Sequence, residues 1–167
     1  MSNPTQYHIK IAAEAFAAGL LAHACYDVLI QYGADQPTYD LVVGKGGKLA
    51  KVSVKGTQLA GWTLAGNYVR DANYHRAADE WLEAQGKGLI FFLVSFFKVP
   101  LGKCPDCFVA TASEIANHLK TQRGGKGHGS LSLKHIWTRG EGVGTTDATP
   151  ESWRFNLERM DKLVEAS

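Results

Sequence analysis

The feature that most constrains the fold is an uninterrupted apolar run, GLIFFLVSFF, at residues 88–97. Ten residues are too few to cross a bilayer as a helix, but they suit a strand whose two faces are both covered. Such a strand is typical of a sheet that has parallel neighbours and helices packed against it. The run therefore predicts an α/β protein with a buried strand at 89–96, and it predicts no contact with a membrane.

Periodicity and turn residues on either side of this run predict the other elements. The expected helices and strands are a helix from Asn3–Pro4 to Ala24, strands at 25–32, 38–44 and 49–56, a helix at 72–85, a strand at 107–112, a helix at 113–120, a strand at 131–137 and a helix from Thr149–Pro150 onward. The glycines of KGGK at 45–48 predict a hairpin turn. The glycine-rich segment 122–130 is expected to be a flexible loop.

The order helix, three-stranded meander, helix, strand predicts a mixed β-sheet flanked by helices. The hairpin supplies antiparallel neighbours, and the helical crossover brings the chain back to a parallel strand. No repeat or low-complexity linker divides the 167 residues. We therefore expect a single domain over 1–167, with an αβββαβ core at about 5–96 and C-terminal additions at 97–167.

The charge of the chain is small but unevenly distributed. The net charge is +2, yet the windows 41–70 and 115–140 contain five lysine or arginine residues each and no acid. A basic face on a nearly neutral protein suits a polyanion, whereas two solvated loops are the alternative interpretation. The residues predicted to contact nucleic acid are Lys45, Lys48, Lys51, Lys120, Arg123 and Lys126.

The stretch KVSVKGTQ at 51–58 places polar side chains where they could act together. Side chains alternate along a strand, so Ser53 and Lys55 share one face while the intervening valines face the core. Asp40 begins the partner strand, and Glu14 lies on the first helix among alanines that permit close packing. The two carboxylates could hold a divalent cation through their oxygens, and the lysine would place an ammonium group near an attacking water. Alternatively, the lysines only keep an edge strand soluble.

This arrangement resembles the core of the PD-(D/E)XK, or restriction-endonuclease-like, nuclease superfamily. The resemblance covers residues 5–96 and rests on the order and spacing of elements and motif residues. It implies that Glu14 is the helix-borne acid, Asp40 the acid of the PD motif and Lys55 the lysine of the (D/E)XK motif. It also implies a catalytic set of Asp40, Lys55, Glu14 and Ser53, with Asp40 and Glu14 as ligands of Mg²⁺ or Mn²⁺.

The chain departs from the superfamily pattern at two positions. Tyr39 replaces the proline of the PD motif, and Ser53 replaces the second motif acid. Some restriction enzymes of this superfamily have Ser-Val-Lys here and take a carboxylate from the following helix. Asp71 is the corresponding candidate for a third ligand, although it could instead be a helix N-cap, and Gln58 is the other candidate.

The resemblance implies a divalent-metal-dependent endonuclease that hydrolyses phosphodiester bonds in DNA rather than RNA. Cleavage of both strands of a duplex needs two active sites, so a homodimer is expected. The alternative is a catalytically inactive nuclease-fold module that binds nucleic acid or protein, because a serine in place of an acid weakens a metal site.

The cysteines and the N-terminal sequence indicate the cellular compartment in which the protein is expected. An odd number of cysteines, three, and the absence of an apolar signal core at the N-terminus lead us to expect a cytoplasmic protein. Cys104 and Cys107 form a single Cys-x-x-Cys motif. It could be half of a zinc site, a reducible disulfide or a pair of free thiols, and the sequence does not choose among them.

Overall fold

A computed structural model of the chain describes residues 4–31 and 38–167. These residues form two compact units, one comprising 4–31, 38–59, 86–111 and 153–167 and the other 60–85 and 112–152. Within the described ranges, no helix has the length and apolar character needed to cross a membrane.

The helices and strands follow one another in an order that alternates between the two units. In chain order they are α1 (Gln6–His23), β1 (Asp27–Ile30), β2 (Leu41–Lys45), β3 (Lys48–Thr57), β4 (Gly61–Thr63), α2 (Tyr74–Glu83), β5 (Leu89–Ser95), β6 (Asp106–Thr111), α3 (Ala112–Gly125), β7 (Ser130–Ser132), β8 (Lys134–Ile136), β9 (Thr146–Ala148) and α4 (Leu157–Glu165). The expected α/β class with a mixed sheet is confirmed.

The first unit is built on a five-stranded sheet with the order β1-β2-β3-β5-β6. Only β3 and β5 run parallel, and the other neighbours are antiparallel. All seven residues of β5 are buried, as the apolar run predicts. Helices α1 and α4 contribute to the same core cluster as the sheet, where Ala13 and Met160 meet Val52, Val54 and Phe92.

The first helix and the hairpin have clear local causes. Thr5 caps α1 by accepting a hydrogen bond from the His8 N–H, while the His8 ring accepts one from the Thr5 N–H. The predicted helix start at Asn3 lies outside the described residues. Gly46 and Gly47 have φ angles of +59° and +79°, which a type I′ turn requires of both its central residues. The predicted hairpin is therefore confirmed.

The second unit contains α2, α3 and two small sheets, β4–β7 and β8–β9. Asp147 on β9 is buried and joins three parts of this unit. Its carboxylate accepts hydrogen bonds from the Arg123 N–H and from Trp137 Nε1 at 2.5 Å. The regular part of α3 ends before Gln122, whose backbone is already non-helical, and Arg123 follows it with a φ of +54°.

Three sequence-based expectations differ from the structure. The segment predicted as one strand at 131–137 is divided between β7 and β8, which belong to different sheets. The last helix begins at Leu157, capped by Asn156, and not at Thr149–Pro150. The segment 122–130 is held in place, because the Gly127 N–H donates to the Gln122 carbonyl and the His128 N–H to the Leu119 carbonyl.

Candidate active site

Asp40 lies directly before β2 and is fixed beside β3 by both its backbone and its side chain. Its N–H donates to the Val52 carbonyl at 2.9 Å, and its carbonyl accepts from the Gln31 N–H at 3.1 Å. Its side-chain Oδ2 accepts from the Val54 N–H at 2.7 Å and from Ser53 Oγ at 3.3 Å. Both side-chain bonds use the same oxygen, Oδ2, and within residues 4–31 and 38–167 the other oxygen, Oδ1, accepts none.

Ser53 and Lys55 alternate with core residues, as the sequence predicts. Val52 and Val54 belong to the core cluster of the first unit. Ser53 is also covered, with only 1% of its surface exposed, whereas Lys55 is half-buried. The hydroxyl of Ser53 therefore donates its hydrogen bond to Asp40 from a position that is almost inaccessible to solvent.

Glu14 reaches this region because α1 approaches β3 very closely. The contact point is Gly56, where an added Cβ would lie 2.6 Å from Ala13 Cβ and 2.9 Å from the Ile9 carbonyl oxygen. No side chain larger than hydrogen fits between helix and strand at that point. The glycine thus sets the position of α1, and with it that of Glu14, one residue from Ala13 in the chain.

Glu14 is a poorly satisfied carboxylate with acidic and basic neighbours. Its Oε1 is buried and has no hydrogen-bond partner among the described residues, and Lys10 Nζ lies 3.7 Å away. Burial raises the pKa of Glu14, and the charge of Asp40 raises it further, while the charges of Lys10 and Lys55 lower it. The structure therefore brings Glu14, Asp40 and Lys55 close enough for their charges to interact.

The donor set suits a divalent cation only in part. The buried oxygen of Glu14 and the carboxylate of Asp40 are hard oxygen ligands of the kind that Mg²⁺ and Mn²⁺ prefer. Across residues 4–31 and 38–167, however, no group of three or more His, Cys, Asp or Glu side chains could hold a metal ion. Glu14 and Asp40 therefore supply oxygen donors of the right kind, but the described residues do not complete a set of metal ligands.

The two candidates for a third ligand differ in their surroundings. Gln58 is exposed, and its Nε2 donates to the Pro4 carbonyl at 3.0 Å, which links it to the start of α1. Asp71 belongs to the second unit and is exposed, with a φ of +51°. The alternative role of Asp71 as a helix N-cap is wrong, because Asn73 caps α2 by accepting from the Arg76 N–H.

The three basic residues predicted to bind nucleic acid in the first unit have different environments. Lys45 Nζ donates to Asp161 at 2.7 Å and lies over the ring of Tyr26. Lys48 and Lys51 are exposed, and Lys51 Nζ lies 5.1 Å from the centre of the Tyr39 ring. Lys48 and Lys51 therefore present their charges to solvent, while the charge of Lys45 is largely balanced.

The three basic residues predicted to bind nucleic acid in the second unit also differ in their environments. Lys120 forms an ion pair with Asp79. The Arg123 guanidinium lies over the rings of Tyr74 and Trp137, 5.3 Å and 4.8 Å from their centres. Lys126 is exposed. Lys120 and Arg123 are engaged in contacts within the protein, which leaves Lys126 as the most accessible of the three.

Sequence reasoning did not include Lys10, although a signal was present. Lys10 and Glu14 are four residues apart on a helix, a spacing at which opposite charges meet. The positive charge of Lys10 lowers the pKa of Glu14 and so favours the ionised form of this carboxylate.

Cys104 and Cys107 are both free thiols, as is Cys25. Burial raises the pKa of the Cys107 thiol to about 12, so this cysteine is a poor nucleophile. Cys104 and Cys107 are therefore not joined by a disulfide in this structure.

No protein-family model matches the chain, and a search of curated proteins found no match either.

Proposed function

We propose that the chain is a divalent-metal-dependent DNA endonuclease with a restriction-endonuclease-like fold and an active site formed by Asp40, Glu14 and Lys55. The observation that carries the proposal is the fixing of Asp40 onto β3 by the Val54 N–H and Ser53 Oγ, with the charge of Glu14 close by. The order helix, three-stranded meander, crossover and parallel strand also supports it, since the superfamily core has this order.

Each residue has a distinct part in this proposal. Asp40 and Glu14 would hold Mg²⁺ or Mn²⁺, and Ser53 would keep the Asp40 carboxylate in place through its hydrogen bond. A bound divalent cation supplies positive charge for the scissile phosphate and lowers the pKa of a coordinated water. The ammonium group of Lys55 would orient the attacking water or stabilise the negative charge that develops on the phosphate oxygens.

DNA is the proposed substrate because the exposed lysines can contact a phosphate backbone without reading bases. Lys48, Lys51 and Lys126 are exposed, and contacts of this kind give affinity that is independent of sequence. A homodimer would bring two such sites to the two strands of a duplex.

The test is nicking of supercoiled plasmid in Mg²⁺, in Mn²⁺ and in EDTA. We expect metal-dependent nicking, reduced roughly a hundredfold or more by Lys55→Ala, the size of loss found when one charge-stabilising group is removed. Lys87→Ala is the matched control, because Lys87 is an exposed lysine of the same unit, and it should nick like the wild type. A wild-type chain that binds DNA but cuts it with neither metal would disprove the endonuclease.

A second function, a catalytically inactive module that binds nucleic acid or protein, is favoured by two observations. The position of the second motif acid holds Ser53, which is neutral and hydrogen-bonded to Asp40, and the described residues contain no group of three metal-ligating side chains. Tight binding of duplex DNA without cleavage in any divalent metal would select this function.

A further inference from the structure

The connection between β5 and β6 presents an apolar tip to solvent. Leu101 at this tip is 96% exposed, more than any other large hydrophobic side chain in the described part of the chain. An exposed leucine on its own is unremarkable in a folded protein. What distinguishes Leu101 is its position in a tight turn between two lysines, at the end of β5.

The tip is a hydrogen-bonded turn on a fixed base. The Lys103 N–H donates to the Pro100 carbonyl at 3.1 Å, and Gly102, at the third position of this turn, has a φ of +83°. At the base, the Phe97 N–H donates to Ser95 Oγ at 3.3 Å. Leu101 is therefore held outward by the turn itself, at its second position.

Two lysines flank the leucine, and the nearest acid in the sequence, Asp106, forms an ion pair with Arg154. Lys98 and Lys103 are exposed, and the segment 86–105 contains no aspartate or glutamate. Lys98 Nζ lies over the ring of Phe97, 5.1 Å from its centre. Neither lysine forms an ion pair with any residue of the described ranges. The tip thus combines one apolar side chain with two uncompensated positive charges.

The tip rises from the end of the sheet at which the candidate active site lies. Strands β3 and β5 are parallel, with Lys55 opposite Leu93 and Thr57 opposite Ser95. The Phe96 N–H continues this pairing by donating to the Thr57 carbonyl at 2.8 Å. The chain therefore leaves β5 just beyond the level of Lys55, and a DNA duplex lying across Lys55 could meet the tip.

We propose that Leu101 is a wedge that enters a base step of duplex DNA bound at the candidate active site, while Lys98 and Lys103 contact the adjoining phosphates. The identity of the partner rests on the proposed function. Apolar side chains presented at rigid tips are known to separate neighbouring base pairs and to kink the duplex, and lysines beside them neutralise the backbone. This chemistry matches the composition of the tip, one leucine between two cations.

The test uses the full chain and duplex DNA in EDTA, so that no strand is cut. The duplex carries the fluorescent base analogue 2-aminopurine at several positions, since its emission rises when a base is unstacked. We expect wild-type binding to raise the emission and Leu101→Ala to reduce that rise by about threefold or more, with a smaller effect on affinity. The double variant Lys98→Gln/Lys103→Gln should weaken binding and lower the slope of log K against log salt by about two.

The matched control is Leu29→Ala, because Leu29 on β1 is 65% exposed and belongs to the same unit; it should respond like the wild type. Equal emission from Leu101→Ala and Leu29→Ala overturns the wedge, as does a wild type that gives no rise. Binding of the tip to phosphatidylserine vesicles, lost in Leu101→Ala, with no emission change on DNA, also overturns it. Plasmid nicking in Mn²⁺ is scored on the same preparations. Nicking without an emission rise removes the wedge alone, and a rise without nicking removes the endonuclease alone.

Discussion

Ser53 has surroundings that account for a neutral residue where the superfamily has an acid. Its side chain is 1% exposed and donates to Asp40, and the charge of Glu14 interacts with that of Asp40. A third carboxylate at this place would lose its hydration and meet two negative neighbours. Without a cation, such a group is expected to destabilise the fold. A serine hydroxyl at residue 53 avoids this loss of stability.

Replacing Ser53 tests this account. Ser53→Glu should lower the free energy of unfolding by about 3 kcal/mol in EDTA, since it buries an uncompensated charge. In Mg²⁺ or Mn²⁺ the variant should regain stability, and its melting temperature should rise more with metal than that of the wild type. Ser53→Ala is the control, because it removes one hydrogen bond and should cost about 1 kcal/mol with and without metal. A Ser53→Glu variant that does not respond to metal would mean that residue 53 does not face the metal ligands.

Glu14 provides a second prediction, through the dependence of stability on pH. Because its pKa is raised above 4.5, chiefly by burial, the folded chain holds this proton more tightly than the unfolded chain. Ionised Glu14 therefore costs stability above the unfolded pKa, and the cost vanishes as the pH falls below it. Glu14→Gln should raise the free energy of unfolding near pH 8, with a gain that shrinks toward about pH 4.

Urea denaturation at the two pH values measures this gain. Glu158→Gln is the contrasting variant, because Lys162 lowers the pKa of the exposed Glu158, and the substitution should give no gain at either pH. A loss of stability in Glu14→Gln near pH 8 would contradict the interpretation that the buried charge of Glu14 destabilises the folded chain.

The face that a residue occupies within one strand could be predicted from the sequence, whereas the ion-pair partner of Lys45 could not. Alternation along β3 was enough to place Ser53 and Lys55 on one face, because the period of a strand is two. The partner of Lys45 is Asp161, 116 residues away, and nothing local indicates it. That contact reduces the positive charge on which the prediction of a basic face depended.

At the scale of elements, the position of the site depends on how closely α1 approaches β3. Gly56→Ala should force α1 away, since the new Cβ would lie 2.6 Å from Ala13 Cβ. We expect a loss of about 1–3 kcal/mol from overpacking, and a further loss of nicking activity because Glu14 moves with the helix.

Gly19→Ala is the matched control for that variant. Gly19 is on α1 itself, and an added Cβ there meets nothing within 4 Å. This substitution should stabilise the chain by up to about 1 kcal/mol, because alanine is the better helix former. Urea denaturation and plasmid nicking on both variants separate a shift of the helix from a general effect of added bulk. Unchanged activity in a folded Gly56→Ala chain would show that Glu14 is not needed for nicking.

The elements that sequence reasoning placed wrongly are those at which the chain changes partners. The segment 131–137 alternates like one strand, but Leu133 donates its N–H to the Ala60 carbonyl and accepts from the Thr149 N–H. Alternation of apolar and polar residues indicates which side chains are buried, but it does not indicate which strand lies alongside. For the last helix, Thr149–Pro150 is a good start signal, yet Asn156 is the residue that caps it, by accepting from the Arg159 N–H.

At the scale of the whole molecule, the unit that carries the candidate site is assembled from three segments of the chain. The sequence places the core at 5–96, and the observed sheet adds β6 beyond this range. Helix α4 supplies Met160, Leu163 and Val164 to the same core cluster as Val52. Asp161 on α4 accepts hydrogen bonds from Lys45 and Tyr26. These hydrogen bonds lower the pKa of the Asp161 carboxyl. A site drawn from 14–55 thus depends on residues about 110 positions later.

Met160 tests this dependence, because it is fully buried on α4 and lies far from the candidate catalytic residues in sequence. Met160→Ala should cost about 2–5 kcal/mol through the cavity it leaves, a large part of the 5–15 kcal/mol typical of a domain. Leu157→Ala, at a 50% exposed position of the same helix, should cost less than about 1 kcal/mol. Urea denaturation gives both values. Nicking measured over a temperature series should then fail earlier in Met160→Ala, in step with unfolding, while its activity at low temperature matches the wild type. A Met160→Ala chain as stable as Leu157→Ala would show that α4 is not part of the core that supports the site.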